Sequence, residues 1–289
     1  MEFTKVGSEQ MLLLALGTVI WFAVPLALAI VWKVKKKEPV TTILAGAATF
    51  MLFAIILEKP IQNVLLFPTT MGLPDHGIAQ FFNARPLLLA FLTALFPGVF
   101  EETGRLVAYK TLLKDRKNRE TSISHGIGHG GFEVIFLMGL TYVTYLSYAL
   151  MINSGTFGTI LEQVKAQAPA QVDQVYAVAE QLTAFSFGDL AINVVERIFA
   201  VMWHTGASIL VFYACRDKKK FWLYPLAIVL HTLLDGVAAL SIFGVISISP
   251  WMLEAVVIVF GCLTFFVPYF LLYRKDAGRG EAVQVSPEE

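Results

Sequence analysis

The sequence is poor in charged residues, which excludes a water-soluble globular protein. Only 15% of its 289 residues are charged, whereas 56% are hydrophobic. A soluble domain normally carries about 25% charged residues. The hydrophobic residues also stand in long runs instead of alternating with polar ones. Because about 20 consecutive apolar residues are enough to cross the hydrocarbon core of a bilayer, this composition indicates an integral membrane protein.

Cysteine, histidine and net charge are also scarce. The two cysteines, Cys215 and Cys262, lie in or beside apolar segments without metal-binding spacing, so we expect no disulfide framework and no cysteine metal site. Lys plus Arg and Asp plus Glu number 22 each, so the net charge gives no indication of a nucleic-acid partner, and none is expected. With only five histidines in the chain, the position of each one is informative.

Seven apolar segments predict an all-α polytopic membrane protein with about seven transmembrane helices. The first is too long for the core of a signal peptide, and its positive charges follow it, so we expect it to remain as a span. We expect a single helical bundle over residues 1–275, with the catalytic core at about 86–246, and a disordered cytoplasmic tail at 276–289. The predicted spans are 11–32, 40–57, 86–110, 122–152, 185–215, 221–246 and 251–273.

Basic residues predict the orientation in the membrane. With seven spans, the basic clusters at 33–37, 110–119, 216–220 and 274–279 all fall on one side. The positive-inside rule places that side in the cytoplasm and the N-terminus outside, in a multi-pass membrane protein. The outer loop 153–184 repeats hydrophobic residues at helical spacing, which predicts an amphipathic helix lying on the outer membrane surface or capping the bundle.

Ionisable residues inside predicted spans are costly in lipid and are therefore candidates for function. The third span contains Glu101, Glu102 and Arg105, spaced so that a carboxylate lies beside the guanidinium on one helix face. The fourth span contains His129 and Glu133, four residues apart in a glycine-rich run. The structural alternatives are a buried ion pair that fixes the helix register and glycine-mediated helix packing.

Two further spans carry histidines at a matching depth. The fifth span contains His204, and the sixth contains His231 and Asp235, again four residues apart. At 1.5 Å per residue, Glu101, His129, His204 and His231 all lie about 12–18 Å from the cytoplasmic ends of their helices. We therefore expect these side chains to converge on one cavity.

Two kinds of chemistry fit carboxylates and imidazoles at mid-membrane. In the first, Glu101 or Glu102 activates a water molecule and the histidines stabilise an oxyanion. In the second, zinc is the cofactor, with His129, His204, His231 and Glu101 as its ligands. The sequence has no His-Glu-x-x-His motif, the usual signature of zinc peptidases. The stripe of His125, His129 and Glu133 could still supply metal ligands, so spacing alone does not decide between the two.

The order of these motifs resembles that of the CAAX-protease and bacteriocin-processing superfamily of intramembrane peptidases. The first motif is one residue shorter here, and Phe199 stands five residues before the fifth-span histidine instead of four. The glycine-rich run of the fourth span resembles the characteristic motif of the related YhfC family of glutamic-type intramembrane peptidases. The matching segments are Glu101-Glu102-x-x-Arg105, His204, His231-x-x-x-Asp235 and Gly126-x-Gly128-His129-Gly-Gly-x-Glu133.

The resemblance implies an intramembrane endopeptidase that needs no metal, and we expect it in a bacterial plasma membrane. Its partner would be a membrane-embedded or membrane-proximal peptide or protein. Glu101 would activate the water with support from Glu102 and Arg105, and His204 and His231 would polarise the water or bind the oxyanion.

The remaining candidates and two other classes of function stay open. Asp235 would take the place of the Asn or Asp that ends the third motif, whereas the superfamily motifs assign no role to His129 or Glu133. A proton-coupled transporter would also place acids and histidines in the membrane, but it would favour internal repeats, and the sequence shows none. A non-catalytic binding or immunity protein could use the same cavity.

Overall fold

The computed structural model describes residues 3–276, which form helices joined by turns and irregular loops. No strand occurs in that range, and seven of its helices are long and apolar enough to cross a membrane. The predicted all-α polytopic fold is therefore confirmed, whereas its orientation stays a prediction. The seven helices, called the first to seventh spans, are Ser8–Lys36, Val40–Leu66, Pro86–Lys110, Glu120–Ser154, Phe187–Arg216, Lys218–Ile242 and Pro250–Asp276.

The predicted ends agree with the structure to within four residues, except in one span. The second span continues to Leu66, beyond the predicted end at residue 57. The predicted disordered tail lies outside the described residues except for Asp276, which ends the seventh span. The Asp276 carboxylate accepts hydrogen bonds from Tyr213 at 2.9 Å and from Arg216 at 3.2 Å.

The predicted amphipathic helix of the outer loop is confirmed as Val172–Ala184. Its apolar residues Val175, Ala179 and Leu182 are buried. The helix contacts the end of the fourth span and a second short helix, Gly158–Gln167. Because its apolar face is covered by protein, the structure favours the capping helix over one lying on the lipid surface.

Contacts divide the chain into two compact units. One contains the chain up to Ala27 and Glu133–Val194, and the other contains Leu28–Phe132 and the chain from Val195 onward. Within the second unit, the third span packs along the sixth and against the second. All the candidate site residues except Glu133 belong to this second unit.

Two glycines bring the second and fourth spans into direct backbone contact. A Cβ atom on Gly128 would lie 1.9 Å from the carbonyl oxygen of Ile43, and one on Gly46 would lie 2.1 Å from the carbonyl oxygen of His125. Neither carbonyl can move aside as a flexible side chain could, because each belongs to a helix backbone. The two glycines therefore hold the helix segment that carries His129 against the second span.

This contact predicts that Gly128→Ala lowers the free energy of unfolding by about 1–3 kcal/mol or more, because the added methyl group overpacks the helix contact. The midpoint of thermal unfolding in detergent measures the change. Gly236→Ala in the sixth span is the matched control, since the nearest atom to its added Cβ is 4.0 Å away. Alanine there should stabilise the helix by up to about 1 kcal/mol. Equal midpoints for the two variants would contradict the close contact.

Candidate active site

The third, fourth and fifth spans bring Glu101, His129 and His204 together inside the second unit. One ligand atom from each residue lies within 4.8 Å of the others. Glu101 Oε2 is 2.8 Å from His129 Nε2 and 3.9 Å from His204 Nδ1. All three side chains are buried. The expected convergence of these three residues is therefore observed, and two imidazoles with one carboxylate form a donor set that can hold zinc.

Arg105 joins the two adjacent carboxylates to His204. It is fully buried and forms an ion pair and hydrogen bond with Glu102, which is also fully buried. Its Nη2 lies 2.6 Å from His204 Nδ1 and 3.9 Å from Glu101 Oε2, and its Nε donates to Ser208 Oγ at 3.3 Å. These contacts fix the guanidinium at the centre of the polar cluster.

His231 belongs to a neighbouring branch of the same network. Its Nδ1 is 2.9 Å from Glu102 Oε1, and its Nε2 is 3.5 Å from Asp235 Oδ2. The Asp235 side chain is 37% exposed and marks the open edge of the cluster. Among the described residues, the group of converging metal ligands does not include His231. His231, the fourth member of the predicted ligand set, faces Glu102 and Asp235 instead, and a metal-binding role for it stays a prediction.

The three ionisable side chains of the fourth span, His125, His129 and Glu133, lie in different surroundings. His129 meets Glu101, whereas His125, one turn earlier, lies 3.2 Å from Ser208 Oγ and 3.3 Å from Thr49 Oγ1. Glu133, one turn later, is buried in the other compact unit. The structure does not group Glu133 with the converging ligands, and its catalytic role stays a prediction.

Aromatic rings surround the cluster, and sequence reasoning missed them. The Trp203 ring centroid is 5.0 Å from that of His204 and 4.3 Å from that of His231. The guanidinium carbon of Arg105 lies 5.9 Å from the Trp203 ring centroid. Phe50 contacts His129 edge-on, with 5.4 Å between the ring centroids. Trp203 directly precedes His204, but an aromatic residue in an apolar run does not by itself indicate a site.

Glu58 is a further buried acid, which the sequence prediction placed just beyond the end of the second span. It is fully buried at the end of the π-helical segment Met51–Glu58, and its carboxylate lies 3.4 Å from Lys59 Nζ. It also lies within electrostatic range of Glu101 and Asp235. The second span therefore places a buried carboxyl group near the cluster.

Comparison with known proteins is consistent with this geometry. A family model described as YhfC intramembrane metalloprotease matches residues 20–271, a range that contains every candidate site residue. A Bacillus subtilis (strain 168) protein described as "Uncharacterized membrane protein YhfC" is 30% identical over 241 residues, which cover 83% of this chain and 88% of that protein. No solved structure matches. The predicted resemblance to YhfC is confirmed, as is the multi-pass membrane location. The chain therefore belongs to the YhfC family of intramembrane proteases.

Proposed function

We propose that the chain is a metal-dependent endopeptidase in which Glu101, His129 and His204 hold a divalent cation. It would cut a peptide or protein in or near the membrane. The convergence of the three ligand atoms within 4.8 Å carries the proposal. Two imidazoles and one carboxylate are a known ligand set of catalytic zinc, whose fourth position stays open for water or substrate. The family description also favours a metal over the metal-free mechanism that the sequence suggested.

Two buried atoms support the fit of a cation. His129 Nδ1 and Glu102 Oε2 are buried and have no hydrogen-bond partner among the described residues. Buried polar atoms in native proteins nearly always have such a partner. One nitrogen of a candidate ligand is therefore not satisfied by the protein itself.

The chain's own residues orient the site. Glu102 accepts from both Arg105 and His231 and so fixes the guanidinium next to Glu101 and His204. His231 lies between Glu102 and the half-exposed Asp235, which offers a route for a proton between the buried cluster and its open edge. When bound, a divalent metal would polarise the scissile carbonyl and make an attacking water more acidic.

One contact favours a metal-free, glutamic-type mechanism as the second candidate. A guanidinium is always protonated and cannot accept a hydrogen bond, so Arg105 must donate to His204 Nδ1, 2.6 Å away. If a metal bound Nδ1 of His204, it would occupy the position to which Arg105 donates. If it bound Nε2, Nδ1 would carry a proton and could not accept from Arg105. In both cases Arg105 must withdraw. If Arg105 stays, Glu101 can act as the base for water, and Arg105 with His204 can stabilise the oxyanion.

Metal content distinguishes the two candidates. We expect the purified full-length chain to carry about one zinc or similar divalent ion, as a catalytic zinc site does, measured by inductively coupled plasma mass spectrometry. His129→Gln should lose the ion. His125→Gln, one turn earlier and outside the converging group, should keep it.

Sensitivity to chelation gives the second measurement. A strong chelator should abolish proteolysis in membranes that contain the protein, and added zinc should restore it. A wild-type preparation that holds no metal and cleaves equally well with the chelator would overturn the metal-dependent proposal in favour of the glutamic one.

A further inference from the structure

A separate groove in the second unit lies between the first, fourth, fifth and seventh spans. Its volume is about 710 Å³. Its walls are apolar and include Ile127, Met202 and Phe265, and three cations lie at one end: Lys36, Arg119 and Arg274. None of the ligand candidates Glu101, His129 and His204 lines it. We call it the basic-rimmed groove.

The three cations of the rim lie at the ends of three different spans. Lys36 ends the first span, Arg119 directly precedes the fourth, and Arg274 lies in the last turn of the seventh. Arg119 pairs with Glu120 at 3.0 Å, but no ion pair involves Lys36 or Arg274 among residues 3–276. The rim therefore carries an excess of positive charge at the end of the bundle that the basic clusters predict to be cytoplasmic.

The length of the groove matches the depth of one membrane leaflet. From Lys36 to Leu28, and from Arg119 to Ile127, the lining residues extend over eight positions, and from Arg274 to Phe265 over nine. These separations correspond to about 12–14 Å along each helix. The hydrocarbon core of a bilayer is about 30 Å thick, so the groove extends from the headgroup level nearly to the middle of the membrane.

We propose that the basic-rimmed groove binds a phospholipid with an anionic headgroup. The phosphate would lie among the three rim cations, and an acyl chain would extend along the apolar walls. Basic pockets between transmembrane helices at this level are a recurrent way of recognising anionic lipids. A zwitterionic lipid would bind less well, because its ammonium group would face the excess positive charge of the rim.

The position of the groove connects it to the helix that carries His204. Thr205, the next residue, lines the groove. Its hydroxyl bonds back to the Val201 carbonyl at 2.8 Å, so the groove wall here is a regular helical turn. A lipid in the groove would therefore pack against the outer side of the turn whose inner side presents His204.

The experiment measures lipid bound to the full-length chain after reconstitution in vesicles of equal parts phosphatidylglycerol and phosphatidylcholine. Native mass spectrometry of the re-extracted protein should show bound phosphatidylglycerol in excess. Lys36→Gln/Arg274→Gln should reduce this binding by about tenfold or more, since each basic residue near an anionic lipid contributes roughly fivefold. Lys218→Gln/Lys219→Gln is the matched control, because it removes the same charge at exposed positions outside the groove and should leave binding unchanged.

A second variant tests the apolar wall. Leu28→Trp, at a position that is 40% exposed at the deep end of the groove, should also reduce binding without altering the rim. Binding that is insensitive to Leu28→Trp would mean that the rim takes up a phosphate group alone, which overturns the lipid assignment. Equal binding by the wild type and the rim variant would overturn it too, as would equal losses in the rim variant and its control. All of these results are independent of whether the chain is an active protease.

Discussion

Glu101→Gln should reduce proteolysis by about a hundred- to a thousandfold. The amide keeps the shape of the side chain but removes the charge, and either candidate mechanism loses several kcal/mol of stabilisation as a result. In the metal-dependent mechanism a ligand is lost, and in the glutamic one the base is lost. The substrate need not be known, because mass spectrometry can compare the N-termini of membrane proteins in cells that produce the wild type or the variant.

Glu254→Gln is the matched control for this prediction. Glu254 is also a buried carboxylate in a span of the second unit, but it lies outside the group of converging ligands. Its isosteric replacement should leave the pattern of N-termini unchanged. If Glu101→Gln folds and retains full cleavage, both mechanisms are wrong. Simultaneous loss of cleavage and of bound metal favours the metal-dependent one.

Arg105→Met should lower the free energy of unfolding by about 3–5 kcal/mol, because it leaves a charge buried without its partner. Both Arg105 and Glu102 are fully buried. The same spacing of three residues occurs on the surface between Glu162 and Lys165, at 2.9 Å. Lys165→Met should have little effect, since water screens that pair. Denaturant or thermal unfolding in detergent measures both variants.

The double variant Arg105→Met/Glu102→Gln tests the cause of the destabilisation. Removing the second charge should recover part of the loss, because no unpaired carboxylate then stays in the interior. The comparison is the change in the free energy of unfolding that Glu102→Gln causes in the wild type and in Arg105→Met. If the two changes are equal, the buried charge is not the source of the effect.

The positions of the spans and the depth of the site could be predicted from the sequence, because both depend on one helix at a time. Hydropathy locates each apolar run, and the rise per residue places Glu101, His129 and His204 at a common depth. The rotation of each helix about its axis depends on packing against its neighbours. For this reason depth alone could not show that His231 meets Glu102, or that Trp203 covers the cluster.

The extension of the second span could not be predicted for a related reason. Glu58, Lys59 and Pro60 interrupt the apolar run, which is typical of the end of a span. The structure instead buries Glu58 completely, and Gln62 donates to the Thr93 carbonyl at 3.0 Å. Polar residues can continue a membrane helix when protein and not lipid surrounds them, and composition does not reveal which of the two does.

The π-helical segment Met51–Glu58 changes which residues of the second span face lipid. Such a wide turn accommodates more residues than an α-helical turn of the same length. Since each residue turns an α-helix by about 100°, one additional residue rotates everything that follows it by that angle. In a regular α-helix, positions four apart drift around the axis by about 40° at each step, so a stripe of such positions would leave the interior within a few turns. The buried residues of this span nevertheless recur at every fourth position from one end to the other: Thr42, Gly46, Phe50, Ala54, Glu58, Gln62 and Leu66. The wide turn offsets the drift, and the same side of one continuous helix stays against protein along its whole length.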